Sequence, residues 1–180
     1  MHNIKIRRTI KDDVKALTAL AVKTWTDAFA HSFSEASDVA DHIEKSLSES
    51  YFNQAVDNDL ILIAEEENRM IGFIQIGHMV NAKEPEDREL RRIYVVANFQ
   101  SKGVGKLLMD KALSDPYLES TQNIYLDVWE HNLGAQKLYK KYGFAVIGKR
   151  KLNVPSGAET SSDLIMVRRS SKNSKEKSPR

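Results

Sequence analysis

Residues 98–113 read NFQSKGVGKLLMDKAL, with Gly103 and Gly105 one residue apart and running straight into a helical pattern. Upstream, Ile93, Tyr94, Val95 and Val96 form the β-branched and aromatic cluster of a strand. Downstream, Val104, Leu107, Leu108 and Ala112 keep helical spacing from about Gly105, and Pro116 marks the end. Strand, tight glycine turn and helix follow in that order. A turn of this kind exposes backbone N–H groups and the positive end of the helix dipole, which together attract phosphate. Lys102 and Lys106 add charge beside it. A Walker loop needs GxxxxGK[ST], and here Lys106 is followed by Leu107 with a single residue between the glycines, so an ATPase is excluded. A dinucleotide fingerprint needs a third glycine, and position 108 is Leu. What remains is Q-x-x-G-x-G, Gln100 to Gly105.

Working outward, IKIRRT near the start alternates as a short strand, and Asp12 or Asp13 caps a helix carrying Val14, Leu17, Leu20, Ala21, Trp25 and Ala28. One or two helices fit SEASDVADHIEKSLSESYFNQAV, with Val39, Ile43 and Leu47 on one side. LILIAEEENRMIGFIQIGHMV reads as a hairpin about Glu67–Arg69. Beyond the glycine loop, NIYLDVWE is a strand, and NLGAQKLYKKY is a helix with Ala135, Leu138, Tyr139 and Tyr142 on one face and Gly143 as its C-cap. FAVIGKRKLNV and SSDLIMVRR supply two strands about PSGAE. The chain holds no internal repeat and no linker, so residues 1–169 read as one domain and 170–180 as a disordered basic tail.

The 180 residues, 41% hydrophobic and 29% charged, have the balance of an ordinary globular protein. With no cysteine there is no disulfide framework, thiolate metal site or cysteine nucleophile, and the five histidines lack metal-ligand spacing, so no metal is expected. His31, His42, His78 and His131 form no constellation and are expected at the surface. No apolar run reaches the roughly 18 residues of a membrane span, and the N-terminus lacks a signal-type apolar region, so a cytoplasmic protein with no membrane partner is expected. The net charge of +2 is unevenly spread: residues 168–180 carry +5, leaving −3 for the rest. That tail is a solvated terminus, with nucleic-acid binding as its rival reading. Between Asp27 and Glu67 eleven acids face Lys45 alone, a stretch that attracts cations and repels nucleic acid, unless it is simply a solvated helix face.

RRIYVVANFQSKGVGKLLMDKAL resembles motif A of the GCN5-related N-acetyltransferases (GNAT), and VWEHNLGAQKLYKKYGF resembles the second half of the same site, N-x-x-A-x-x-x-Y-x-x-x-G-F. Within that family RIYV, FQxxGxGKxL, VWExN, YKKxGF and SDLIM are most similar to the PaiA-type enzymes, which acetylate spermidine and spermine. The resemblance implies an α/β acyl-CoA N-acyltransferase fold, with a mixed, mostly antiparallel sheet and helices on both faces. It implies acetyl-CoA as donor, a primary amine of a polyamine as acceptor, and a homodimer as default assembly. Arg91 departs from the PaiA-type pattern, which often has an acid there. Within the same fold the alternatives are a protein N-terminus, a lysine or an aminoglycoside-like amine as acceptor. A further alternative is a non-catalytic CoA-binding regulatory module.

Residue by residue, the resemblance implies that Gln100, Ser101, Lys102, Gly103, Val104, Gly105 and Lys106 hold the pyrophosphate. Ile93, Tyr94 and Val95 then pair with the pantetheine arm, and an amide near Val95 faces the thioester carbonyl. Tyr139 protonates the leaving thiolate; its spacing equally suits a core tyrosine. Asn132 hydrogen-bonds the pantetheine or serves only as an N-cap. Removing a proton from an ammonium needs a base, for which Glu89 is the first candidate, ahead of Glu84, Glu86 and Asp127. Trp25, Asp27 and Phe29 line the acceptor pocket, an aromatic face being a good partner for a cation; the rival reading has Trp25 packing its helix onto the sheet. Trp129 suits either purpose. With no cysteine to carry an acyl group, direct attack in a ternary complex is expected.

Overall fold

The computed structural model describes residues 3–30, 35–80, 82, 84–151 and 162–170. His31, the PSGAE turn and the tail beyond Ser170 lie outside them. Ser170, read as the first tail residue, still donates its N–H to the Gln122 carbonyl at 2.8 Å.

Among the described residues seven strands form one sheet in the order β1-β2-β3-β4-β5-β7-β6. They are β1 (Ile4–Arg8), β2 (Leu60–Glu66), β3 (Arg69–His78), β4 (Arg88–Val95), β5 (Asn123–Trp129), β6 (Ala145–Lys151) and β7 (Ser162–Arg169). Every neighbouring pair is antiparallel except β4 and β5. The β2–β3 hairpin turns on Glu67 and Asn68, both at positive φ (49° and 61°), the conformation of a type I′ turn.

Helices α1 (Val14–Phe29), α2 (Ala36–Leu47) and α3 (Glu49–Asn58) cover one face, and α4 (Val104–Leu113) and α5 (Leu133–Lys141) the other. The unbroken apolar run of β2 follows from this, since a central strand is buried on both sides. Leu60, Leu62 and Ala64 meet the core under α4 and α5, while Ile61 and Ile63 meet the core under α1–α3.

The expected cap of α1 is corrected. Asp13 occupies the N-cap position without a capping hydrogen bond to α1. Its carboxylate accepts from the Ile10 N–H at 2.9 Å and from both terminal nitrogens of Arg7, at 2.6 and 2.9 Å. Arg7 also holds Glu65, so this cluster ties β1 to β2 and to the entry of α1.

Two irregularities of β4 prepare the site. Gln75 pairs with Arg92 but Ile76 pairs with Leu90, so Arg91 is an extra residue, a β-bulge. The parallel pairing of β4 with β5 covers only Arg88–Ile124 and Glu89–Tyr125. Past these residues β4 stays with β3 as far as Val95 and β5 stays with β7 as far as Trp129. The two central strands therefore diverge, opening a gap in the middle of the sheet.

Candidate active site

The edge of β4 facing the gap follows from hydrogen-bond alternation. The Val96 N–H donates to the Ile71 carbonyl on β3 at 2.9 Å. In an antiparallel ladder the backbone groups of successive residues point alternately to the partner and away. Tyr94 and Arg92 thus turn their backbone to β3, and Ile93 and Val95 turn theirs to the gap. The Val95 carbonyl is taken by the Gln100 side-chain amide at 3.0 Å. The N–H and C=O of Ile93 and the N–H of Val95 remain on the open edge.

The glycine loop hangs between two buried anchors, Phe99 and Val104. Ser101 and Gly103 lie at positive φ, 60° and 84°. Gly103 is therefore required by backbone conformation. Gly105 is different: its φ is ordinary, and an added Cβ would meet only Leu138 Cδ2 at 3.6 Å and Ile93 Cδ1 at 3.9 Å. Nothing among the described residues demands a bare backbone at Gly105. The first bond into the helix runs from Leu107 N–H to the Gly103 carbonyl at 3.0 Å, so the amides of Val104, Gly105 and Lys106 precede the intrahelical ladder. Of the two loop lysines, Lys102 sits over the Phe99 ring and Lys106 is paired with Asp110 at 2.6 Å.

Across the gap, Asn132 caps α5, its Oδ1 accepting from Ala135 N–H at 3.1 Å. Gln136, which sequence reading passed over, donates to the Trp129 and Glu130 carbonyls and so fixes the angle between β5 and α5. The Tyr142 hydroxyl donates to the Asp110 carboxylate at 2.5 Å, with the Lys106 carbonyl 3.1 Å away, tying the end of α5 to α4. Tyr139 is buried against Phe144, and its hydroxyl has no hydrogen-bond partner among the described residues. Burial, with a smaller push from Tyr94, holds its pKa well above that of a free phenol. It is a protonated donor at neutral pH.

The opposite face of the gap is built from side chains. Arg91 lies 3.4 Å from Asp59 and 3.5 Å from Glu89, and donates to the His78 carbonyl at 2.7 Å. Arg92 donates to the Ser46 carbonyl of α2 at 2.7 Å and lies over the Tyr51 ring of α3 at 5.1 Å. Gln75, wholly buried, donates to the Tyr51 hydroxyl at 2.9 Å and to Asp59 at 2.7 Å, joining the surroundings of the two arginines. Glu89 stands where the β4–β5 pairing ends. Asp127 is engaged by Arg150 on β6, and Glu84 is exposed in the loop before β4.

Trp25 is buried in the core beneath α1, where it packs the helix onto the sheet, and Phe29 sits beside it with ring centroids 6.2 Å apart. Asp27 is not brought to this wall; it is exposed and paired with Lys23 at 2.8 Å. His42 corrects the surface expectation for the histidines. It is half-buried, stacked on Trp25 at 4.2 Å, and burial together with Arg92 lowers its pKa, so the ring is neutral at pH 7. On α2, Asp41 and Glu44 point to solvent, while His42 and Ser46 share the inner face.

A sheet parted between two parallel strands, with a glycine turn at the end of one and a helix carrying a tyrosine after the other, defines an acyl-CoA N-acyltransferase fold. The acetyltransferase (GNAT) family matches residues 18–144, and the chain belongs to it. An uncharacterised N-acetyltransferase of Mycobacterium bovis is 27% identical, over 87% of this chain and 97% of its own. The spermidine N(1)-acetyltransferase of Thermoplasma acidophilum is 25% identical over 80% of this chain and 89% of its own. The crystal structure of the PaiA N-acetyltransferase of T. acidophilum in complex with coenzyme A superposes with a TM-score of 0.73 at 21% identity, over 93% of this chain and 99% of that one, a likeness of fold. The protein is an acetyl-CoA-dependent N-acetyltransferase of GNAT type, with acetyl-CoA as its donor substrate.

Proposed function

We propose that this chain moves the acetyl group of acetyl-CoA onto the primary amine of a small acceptor by direct attack in a ternary complex. The observation that carries the reading is the parting of β4 from β5 after Glu89 and Tyr125, with unpaired backbone groups along β4 and a protonated Tyr139 on α5. The open N–H and C=O groups of Ile93 suit the amides of a pantetheine arm. The loop amides from Ser101 to Lys106 suit a pyrophosphate. Gly105 supports this, because no described residue of the protein stands where its side chain would be.

In the reaction the acceptor ammonium gives one proton to Glu89, directly or through water, and the neutral nitrogen attacks the thioester carbonyl carbon. The Val95 amide hydrogen-bonds the oxygen that gains charge. As the C–S bond breaks, Tyr139 gives its hydroxyl proton to the sulfur, and the second proton shed by the nitrogen restores the phenol by way of solvent. The new C–N bond, free CoA thiol and one released proton complete the balance.

A polyamine acceptor is the finer reading, supported by the named activity of the Thermoplasma relative and by the carboxylates of Glu89 and Asp59 near the closed end of the gap. Arg91 and Arg92 on the same face favour a second reading, an acceptor that is not purely cationic. Thiol release from acetyl-CoA with spermidine, spermine, putrescine, an aminoglycoside, free lysine and short peptides tests the proposal. Amine-dependent turnover is expected with at least one small amine. CoA binding with silence across the panel would instead favour a regulatory CoA-binding module.

A further inference from the structure

We infer that the acceptor carries a carboxylate beside the amine that is acetylated, and that Arg92 receives this carboxylate; the inference rests on the acetyl-transfer reading above. The β-bulge sets two arginines next to each other toward the α1–α3 face, and their surroundings differ. Arg91 is matched by the carboxylates of Asp59 and Glu89 and by the His78 carbonyl. Arg92 has no carboxylate within 4.0 Å among the described residues. Its one firm bond goes to the Ser46 carbonyl, and the Tyr51 hydroxyl lies at the 3.5 Å limit.

The environment makes that imbalance costly. Arg92 is half-buried, with the Tyr51 ring 5.1 Å and the Phe52 ring 5.8 Å from its guanidinium carbon. The rings contribute a cation–π attraction, but they supply no counter-charge and keep water from one side of the group. His42 on α2 is neutral and Tyr94 is a protonated phenol, so neither offers an anion. A guanidinium with unused donors in such a place is matched by a planar anion that takes two parallel hydrogen bonds.

Position gives the match its meaning. Arg92 is adjacent to Ile93, whose backbone faces the gap, and its side chain lies on the face opposite α4 and α5. A small acceptor whose amine enters the gap and whose carboxylate meets Arg92 would lie along the wall of His42 and Tyr51. A polyamine in the same place would set an ammonium group against an arginine that has no acid of its own.

The test compares amino acids with the amines left when the carboxylate is removed: ornithine with putrescine, lysine with cadaverine, and alanine with ethylamine. Turnover with acetyl-CoA and calorimetric binding to the enzyme–CoA complex are both measured. In the native protein at least one carboxylate-bearing member is expected to exceed its partner by about 10- to 100-fold, the range of a charged hydrogen bond. Arg92→Met, which keeps the packing on the rings, is expected to bring that ratio to about 1, and Arg92→Lys to leave an intermediate value. The thermal midpoint and CoA affinity of each variant establish that it is folded. Equal or inverted ratios in every pair, or a preference that survives in Arg92→Met, overturn the inference. Arg92-dependent binding of the carboxylate member without turnover would uphold Arg92 as a carboxylate site while removing the acetyl-transfer reading.

Discussion

The two faces of the β4–β5 gap are made of different materials. On the α4–α5 face the groups offered are backbone: the edge of Ile93 and Val95, and the amides of the glycine loop. On the α1–α3 face they are side chains: Arg91, Arg92, His42, Tyr51 and Gln75. Backbone groups are positioned by secondary structure and change little with substitution. Side chains can be exchanged one at a time without disturbing the sheet. A donor common to a whole family suits the first kind of surface, and an acceptor that differs among relatives suits the second.

Tyr139 stands on the backbone-rich face yet acts through a side chain, so its loss is the largest effect expected. Its hydroxyl has no hydrogen-bond partner among the described residues, and Tyr139→Phe therefore takes no bond from the fold. A drop in kcat of about 100- to 1,000-fold is expected, the usual contribution of a positioned proton donor. The KM for acetyl-CoA and the thermal midpoint should hardly move. Full turnover in the variant would show that solvent protonates the thiolate and that Tyr139 is only a core tyrosine.

The two glycines of the loop sharpen the contrast between backbone demanded by the fold and backbone demanded by a ligand. Gly103 at φ 84° is a matter of fold, and Gly103→Ala is expected to cost about 1 kcal/mol of stability, from the strain of a Cβ in the left-handed region. Gly105→Ala meets no obstacle within the protein and gains helix propensity, so stability should hold or rise by up to about 1 kcal/mol. Acetyl-CoA affinity, measured by titration, should nevertheless fall about tenfold, equivalent to roughly 1.4 kcal/mol. An unchanged affinity would mean that the pyrophosphate does not lie against that turn.

This division also explains which parts were legible in the chain itself. The strand–turn–helix at 93–113 and the helix carrying Tyr139 are local patterns, and the hairpin at Glu67 and Asn68 is local too. The parting of β4 from β5 is not, because it depends on which partner each strand keeps. Nor is the bulge at Arg91, which appears only when β3 lies alongside. His42 reads as a surface residue because nothing in its own helix foretells that Trp25 stacks on it and that Arg92, fifty positions away, adjoins it. Asp27 read as a pocket residue by its closeness to Trp25 in sequence, but two positions along a helix turn a side chain to the far side. The acceptor face is assembled from distant segments, and its specificity could not be read from any one of them.

The smallest expected effect lies away from the gap, where the entry to α1 is fastened by Arg7, Asp13 and Glu65. The Asp13 pKa is lowered from 3.8, first by its hydrogen bonds from Arg7 and, less, by the Ile10 amide. A carboxylate whose folded pKa is depressed adds stability above its unfolded value, and that contribution fades as pH falls through the folded pKa. Arg7→Met should therefore lower stability by about 1 kcal/mol or less at pH 7, since the cluster is partly exposed. The difference from the native protein should shrink below about pH 4, in urea melts at a series of pH values. Turnover should stay the same, because β1 lies three strands from the gap. A stability difference that persists unchanged to pH 2 would mean that Arg7 acts by packing its aliphatic stem and not by charge.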